Sequence, residues 1–586
     1  MLGLALRCKP ALRRVLMAAV LVVAPSGCAP GQDLWGDVPE DSTVIGGPLV
    51  SGSGLGAYLA ARHAHAQRDN RAAADFYRAA LSRDPDNTEL LQSAFALLAA
   101  EGRMAEAAQL AQRLVNYDPN ASIAAMLLAV EDAKAGDYAS VERRIAGLPK
   151  RGINAFIGPL ITAWARVGQN KVDEALQVLA PLSNNSHLAQ LHDFHAGLIT
   201  DLAGRDAAAE EFYRSTIASP GGVTLRAVQA IGAFYQRIGR QDKARELYER
   251  YAQEHPDSEL LDASALLAQG PERGRLISDA RMGMAESFFA AATAIRQSNA
   301  GDVAMLFDRM ALALQPNFPL AQVLLADGLQ AQGRLTDANT VYRAIDPTAP
   351  VWYTAQLRVA ANLDEMDQTD QAVTLLRELV AARKDSPDAL VSLGEILRKH
   401  ERFTEAAEIY DAALARIGKI DGRHWALFYS RGISLERSKQ WGRAEKDFLR
   451  ALELEPEQPY VLNYLGYSWV EQGIHLDKAR GMIEKAVSLR PNDGYIVDSL
   501  GWVLFRTGAY KEAAAQLERA VELRPDDVTI NDHLGDALWR VGREPEARFQ
   551  WQRALNLATD DKVKDDIRHK LRAGLPPQPA TLGRAK

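Results

Sequence analysis

The chain has only two cysteines in 586 residues, Cys8 and Cys28, both near its start. That excludes a disulfide scaffold and a cysteine-ligated zinc fold. Basic excess is missing too. The formal charge is −7, so a nucleic-acid partner is not expected. After residue 28 no stretch stays apolar for the 18 residues that a membrane-spanning helix needs. Glycine and proline, at 42 and 26, are ordinary and exclude collagen-like or low-complexity architecture. With 47% hydrophobic and 24% charged residues, wholesale disorder is excluded as well.

Signatures of chemistry are equally scarce. The phosphate-cradling GxxxxGK[ST] pattern is absent, and the glycine-rich Ser51–Gly56 follows no strand, so it reads as a tether. His400-Glu401 has no second histidine at zinc-protease spacing, and no Gly-x-Ser-x-Gly elbow occurs. His192, Asp193 and His195 stand close enough on one helix to seat a metal, but surface histidines are the commoner reading. No metal, no cofactor and no catalytic residue are expected. An enzyme with its site in 257–284, where Arg273, Arg275, Asp279 and Arg281 are polar, is the alternative.

The first 28 residues have the form of an export signal. Arg7, Lys9, Arg13 and Arg14 precede the apolar run Val15–Ala24 and then Pro25-Ser26-Gly27-Cys28. Ten residues of helix rise only about 15 Å, too little to cross a bilayer core. Ser26-Gly27-Cys28 resembles a bacterial lipobox, which implies cleavage before Cys28 and its lipidation. Pro25 departs from the aliphatic residue usual there. Gly27-x-Ala29 would also serve ordinary signal peptidase, and a cytosolic chain is the third reading. Residues 29–53, rich in Gly, Pro, Ser and Asp, read as a flexible tether.

The rest is one unit repeated. Leu465-Gly466, Leu500-Gly501 and Leu534-Gly535 recur at spacings of 35 and 34, and Gly432 and Gly394 continue the series upstream. Unit starts fall at 54, 88, 122, 156, 190, 225, 285, 319, 353, 387, 425, 459, 494 and 528. Residues 257–284 interrupt the frame, so an N-terminal array over 54–256 and a C-terminal array over 285–558 are expected. Within the unit at 494, Val497, Leu500, Gly501 and Leu504 share one helical face. Gly508 ends that helix as a left-handed cap, Ala513, Leu517 and Ala520 line a second helix, and Pro525 stops it.

Leu-Gly, a later apolar residue, then Ala, a large residue, Ala and Pro at a period of 34 resemble the tetratricopeptide repeat (TPR) family over about residues 54–558. The resemblance implies an all-α superhelical solenoid of about fourteen helical hairpins, with a capping helix in 559–586 (Asp560–Leu571). It also implies that protein partners sit on the concave surface. That stripe holds Tyr467, Tyr495, Asp498, Trp502, Phe505, Asp532, Asp536 and Trp539, with Arg506 and Arg540 beside it. Its acidic residues disfavour a carboxylate clamp and favour an apolar or basic segment anchored on aromatics. Trp502 and Trp539 could equally be core residues. The whole chain is similar to long TPR lipoproteins of bacterial outer membranes. Among these are adaptors that recruit carboxyl-terminal processing proteases and present cell-wall hydrolases to them. The resemblance thus implies a non-enzymatic scaffold on the periplasmic face of a bacterial membrane, held only by an N-terminal lipid. Scaffolds for secretion, polysaccharide export or outer-membrane protein assembly are the alternatives.

Overall fold

The computed structural model describes residues 53–576, except 187, 221, 256–262, 269, 271–273 and 297–299. The export segment, Cys28, nearly all of the tether, Arg273 and the tail 577–586 lie outside the described residues. Gly54–Lys586 forms one unit. The described residues form thirty helices and no strand. Twenty-eight of them pair into fourteen hairpins whose first helices start at Gly54, Thr88, Ser122, Asn154, Ala189, Leu225, Ala280, Pro319, Trp352, Asp388, Trp425, Pro459, Gly494 and Val528. A six-residue helix, Ala263–Ala268, follows the sixth hairpin, and Asp561–Ala573 closes the array.

The turn inside each hairpin explains the period. One residue there must take a left-handed backbone, and glycine does so at no steric cost. Gly102, Gly136, Gly204, Gly239, Gly333, Gly473, Gly508 and Gly542 hold it with positive φ. Arg68, Asn170, Asp367, Glu401 and Lys439 hold the equivalent place in the other described turns, also with positive φ. The sequence period is therefore visible as backbone even where its glycine is lost.

Contact between the two helices depends on a glycine facing a large side chain. A Cβ added at Gly501 would lie 2.4 Å from Leu517 Cγ, and one at Gly432 2.7 Å from the Phe448 ring. Gly535 opposes Trp551 and Gly394 opposes Tyr410 in the same way. First helices of neighbouring hairpins also touch directly, as Gly494–Arg506 does with both Pro459–Gln472 and Val528–Arg540. First helices therefore make the inner wall of the stack.

The seventh hairpin departs from this scheme. Its first helix, Ala280–Arg296, begins before the expected 285, where Asp279 Oδ1 caps it by accepting from Met282 N at 2.8 Å. This helix packs on Asn154–Gly168 and touches Ala189–Leu202. Its partner Gly301–Leu314 touches Ser122–Lys134 and Thr88–Ala100. All four are first helices of the second to fifth hairpins. The seventh hairpin thus lies along the inner wall of the N-terminal array, so after the break read at 257–284 the chain lies in its own groove.

Two contacts fix this docking. Gly283 lies over the buried Trp164 indole so closely that a Cβ would come within 2.1 Å of the ring. Glu286, 1% exposed, accepts from Arg226 at 2.7 and 2.8 Å. Farther along, Arg334 grips Glu101 with two bonds of 2.7 and 2.8 Å across 233 residues of sequence. Buried pairs add little net stability, but losing one partner strands the other charge. The described polar residues of the break, Arg275, Asp279 and Arg281, have structural partners. Arg275 donates to the backbone oxygen and Oδ1 of Asp201, and Arg281 lies 3.8 Å from Asp279.

Gly283→Leu should therefore destabilise the chain by about 1–3 kcal/mol, the usual range for overpacking a filled core. Amide exchange should quicken in Asn154–Gly168 as well as in Ala280–Arg296, while Gly494–Arg506 keeps its protection.

Candidate functional site

The inner wall stays open in the last four hairpins. Between Trp425–Arg437, Pro459–Gln472, Gly494–Arg506 and Val528–Arg540 lies a cavity of about 440 Å³, lined among others by Glu436, Asn463, Tyr464, Tyr467, Glu471 and Tyr495. Each helix contributes side chains one turn apart, so successive hairpins lay successive rungs along one groove. Tyr464 Oη donates to Glu436 Oε2 at 3.0 Å. Burial, with Glu471 and Asp498 nearby, pushes the Tyr467 phenol well up, so it stays a neutral hydrogen-bonding group. Asn463 Oδ1 is buried and has no partner among the described residues, which leaves a hydrogen-bond acceptor in the wall.

Beside the cavity stands a braced aromatic stack. Trp502 lies parallel to His533, with ring centroids 4.0 Å apart, and to Phe505 at 5.0 Å. Its indole Nε1 donates to Glu471 Oε1 at 2.6 Å, and Arg506 reaches the same oxygen at 3.2 Å. His533 Nδ1 meets Asp498 at 3.0 Å, and both are buried. Burial alone would drive the imidazole down. The carboxylates of Asp498, Asp532 and Asp536 together outweigh it, and the pKa is raised. Asp498 is thus matched by its own histidine.

The ten residues read as a partner surface separate into three groups. Tyr467, Tyr495 and Asp498 line the cavity. Trp502, Phe505 and Arg506 form the stack that borders it. Asp532, Asp536, Trp539 and Arg540 require a correction, because the end of the chain already covers them. Lys570 donates to Asp532 at 2.6 Å and to Asp536 at 2.9 Å, and Asp536 also accepts from Trp551 Nε1 at 2.9 Å. Gly574 sits against the Trp539 ring, and Arg540 donates to Pro576 O at 2.8 Å. Lysine, carboxylates and indole here belong to the cap.

Sequence reading missed Glu436 and Glu471. Glu471 stands thirteenth in its unit, as Arg506 and Arg540 do in theirs, and Glu436 stands one place earlier, so applying that register to every residue type would have found Glu471. The histidine pair also resolves. His195 is buried, and its Nδ1 accepts from Trp164 Nε1 at 3.0 Å, since an indole only donates. Burial brings its pKa down to about 3. His192 meets Asp193 at 2.8 Å. Among the described residues no three His, Cys, Asp or Glu side chains gather as a metal site.

The His533 shift has a definite sign. A group whose folded pKa is raised contributes stability that is complete below its unfolded value, about 6.5, and lost as pH rises through the folded value. Amide exchange in Gly494–Arg506 and Val528–Arg540, corrected for intrinsic rate, should show greater protection at pH 6 than at pH 8.5. In Asp498→Asn that difference should vanish.

Comparisons with known proteins agree with this architecture. Tetratricopeptide-repeat models match residues 64–131, 229–258 and 362–419, and a TPR-repeat model matches 501–542. A TPR repeat-containing protein of Pseudomonas aeruginosa is 29% identical over 191 residues, 31% of each chain. A tetratricopeptide repeat-containing protein of Caenorhabditis elegans is 29% identical over 150 residues, 25% of this chain and 18% of that one. The chain therefore spans less than a third of the length of these curated relatives. A chain of the APC/C hetero-tetramer Cut9-Hcn1 aligns over 90% of this chain and 97% of its own, at 13% identity and a TM-score of 0.37. The matched models, the stacked hairpins and the left-handed residue in every described hairpin turn support the tetratricopeptide-repeat family for this chain.

Proposed function

We propose that the chain is a non-enzymatic scaffold of the bacterial envelope that holds a partner protein in the groove of its last four hairpins. TPR proteins generally act as protein-binding scaffolds. The observation that carries the reading is the open cavity, where Tyr464, Tyr467 and Tyr495 stand among Glu436 and Glu471 beside the unpaired acceptor of Asn463. Rigid aromatics supply contact area at low entropic cost, and carboxylates select lysine or arginine between the anchors. The preferred partner is a segment with apolar anchors and basic spacers. Bringing a carboxyl-terminal processing protease to cell-wall hydrolases is the specific task suggested by the resemblance to envelope adaptors. Attachment by lipid on Cys28, facing the periplasm from the outer membrane, completes the reading.

The test is affinity capture from envelope extract with mass spectrometry. Tyr467→Ala with Tyr495→Ala should lower recovery of the specific partners about tenfold or more, the scale of losing an interfacial anchor, at unchanged helicity. Equal recovery would refute the groove. Trp539→Ala should instead loosen the cap, seen as faster exchange in Asp561–Ala573. Separately, Cys28→Ser should move the protein from the membrane to the soluble fraction; continued membrane fractionation would refute lipidation.

A further inference from the structure

Where the seventh hairpin enters the N-terminal groove it leaves a second cavity, of about 510 Å³. Phe156, Leu191, Phe194 and Leu225 line one side, from the inner wall of the N-terminal array. Phe289 and Leu324 line the other, from Ala280–Arg296 and from the next hairpin. The volume falls within the range of small-molecule sites, which are mostly apolar with few polar groups. Nothing in the groove described above depends on it.

The polar side chains in this wall already have partners. Gln190 Nε2 donates to the backbone oxygens of Thr216 and Gly222 at 3.2 and 2.6 Å. Arg226 is held by Glu286, and its guanidinium lies 4.5 Å above the Phe318 ring. Thr216 and Thr293 donate to the backbone oxygens of Phe212 and Phe289 at 2.9 and 3.0 Å. Thr224 Oγ1 accepts from Ala227 N at 3.2 Å. An inserted peptide would bring amide and carbonyl groups against a mostly apolar wall whose described polar side chains are already engaged, which is costly. An aliphatic chain has no such groups and gains with each methylene removed from water. The exposed rim at Thr293 and Ala294 leaves a polar head in solvent.

We propose that this junction cavity binds the single aliphatic chain of an amphiphile such as a long-chain fatty acid. Both arrays supply wall, so the bound chain also fastens the seventh hairpin to the groove it occupies.

Palmitate binding to the protein spanning residues 29–586 is measured by equilibrium dialysis with radiolabelled ligand. Saturable uptake of one molecule per chain is expected. Ala290→Phe places a ring in the cavity and should weaken binding about tenfold or more, because several methylenes lose their site. Wild-type melting temperature in that variant shows that the fold is kept. Bound palmitate should slow amide exchange in Ala280–Arg296 and in Ala189–Leu202 together. Tyr467→Ala, in the other groove, should leave uptake unchanged. Three results would overturn the proposal: no saturable uptake, equal uptake by a folded Ala290→Phe, or displacement of palmitate by the uncharged peptide acetyl-Leu-Leu-Leu-amide at comparable concentration.

Discussion

A pair of antiparallel helices cannot hide its own apolar faces, and nearly every feature of this chain answers that constraint. Within a hairpin the helices close over a glycine and a large residue, as Gly501 does with Leu517. Between most hairpins the second helix packs on the first helix of the next, and several first helices touch directly. Stability is then close to a sum of neighbour contacts, and any end or interruption leaves apolar surface in water. At the C terminus Asp561–Ala573 covers the last face, with buried Ile567 as its apolar contact and Lys570 tied to Asp532 and Asp536. After the sixth hairpin the chain uses another solution. The seventh hairpin turns into the inner wall already built and covers it.

That choice sets the chemistry of the two halves apart. In the N-terminal groove the contacts are internal and buried: an indole over Gly283, an Arg226–Glu286 pair, and a neutral His195 accepting from Trp164. In the last hairpins His533 is favoured in its charged form by Asp498. The two histidines therefore respond to pH in opposite directions. Protonation opposes folding around His195, at a cost of about 1.4 kcal/mol for each pH unit below the ordinary 6.5 until its own value near 3. Around His533 protonation favours folding. Asp308, buried in the seventh hairpin beside Arg296, has its carboxyl raised by burial to about 7, and it too favours the folded state as pH falls. A single melting curve would blend these opposing effects, whereas exchange measured helix by helix separates them.

The sequence makes the fold class legible because the period is written twice, in Leu-Gly pairs and in turns. Where glycine is replaced, as by Lys439 or Glu401, only the surrounding apolar spacing preserves the register. Tyr467 and Tyr495 were placed on the groove because their unit positions match the stripe that the family resemblance assigns to the concave surface. The fate of Trp539 and Asp536 was hidden, because the residues that cover them, Lys570 and Gly574, follow the last unit in sequence and belong to no unit. The self-filled groove was hidden for a related reason. Glu286 and Arg226 stand sixty residues apart, Arg334 and Glu101 233 apart, and a periodicity argument sees only nearest neighbours. Gly283 looked like part of an irregular break, and its role appears only with Trp164 above it.

Repeat arrays tolerate change because each unit answers only to its neighbours, and this one gives up some of that freedom. Glu101, Trp164 and Arg226 answer to residues of the seventh and eighth hairpins as well as to their own units. Inserting one unit between the fourth and sixth hairpins would shift Glu101 and Trp164 by a full hairpin from Arg334 and Gly283 and part both contacts together. An insertion among the tenth to twelfth hairpins would part none of them. The C-terminal array is therefore free to vary its groove lining, and the N-terminal array is held to a fixed count by the hairpin it encloses.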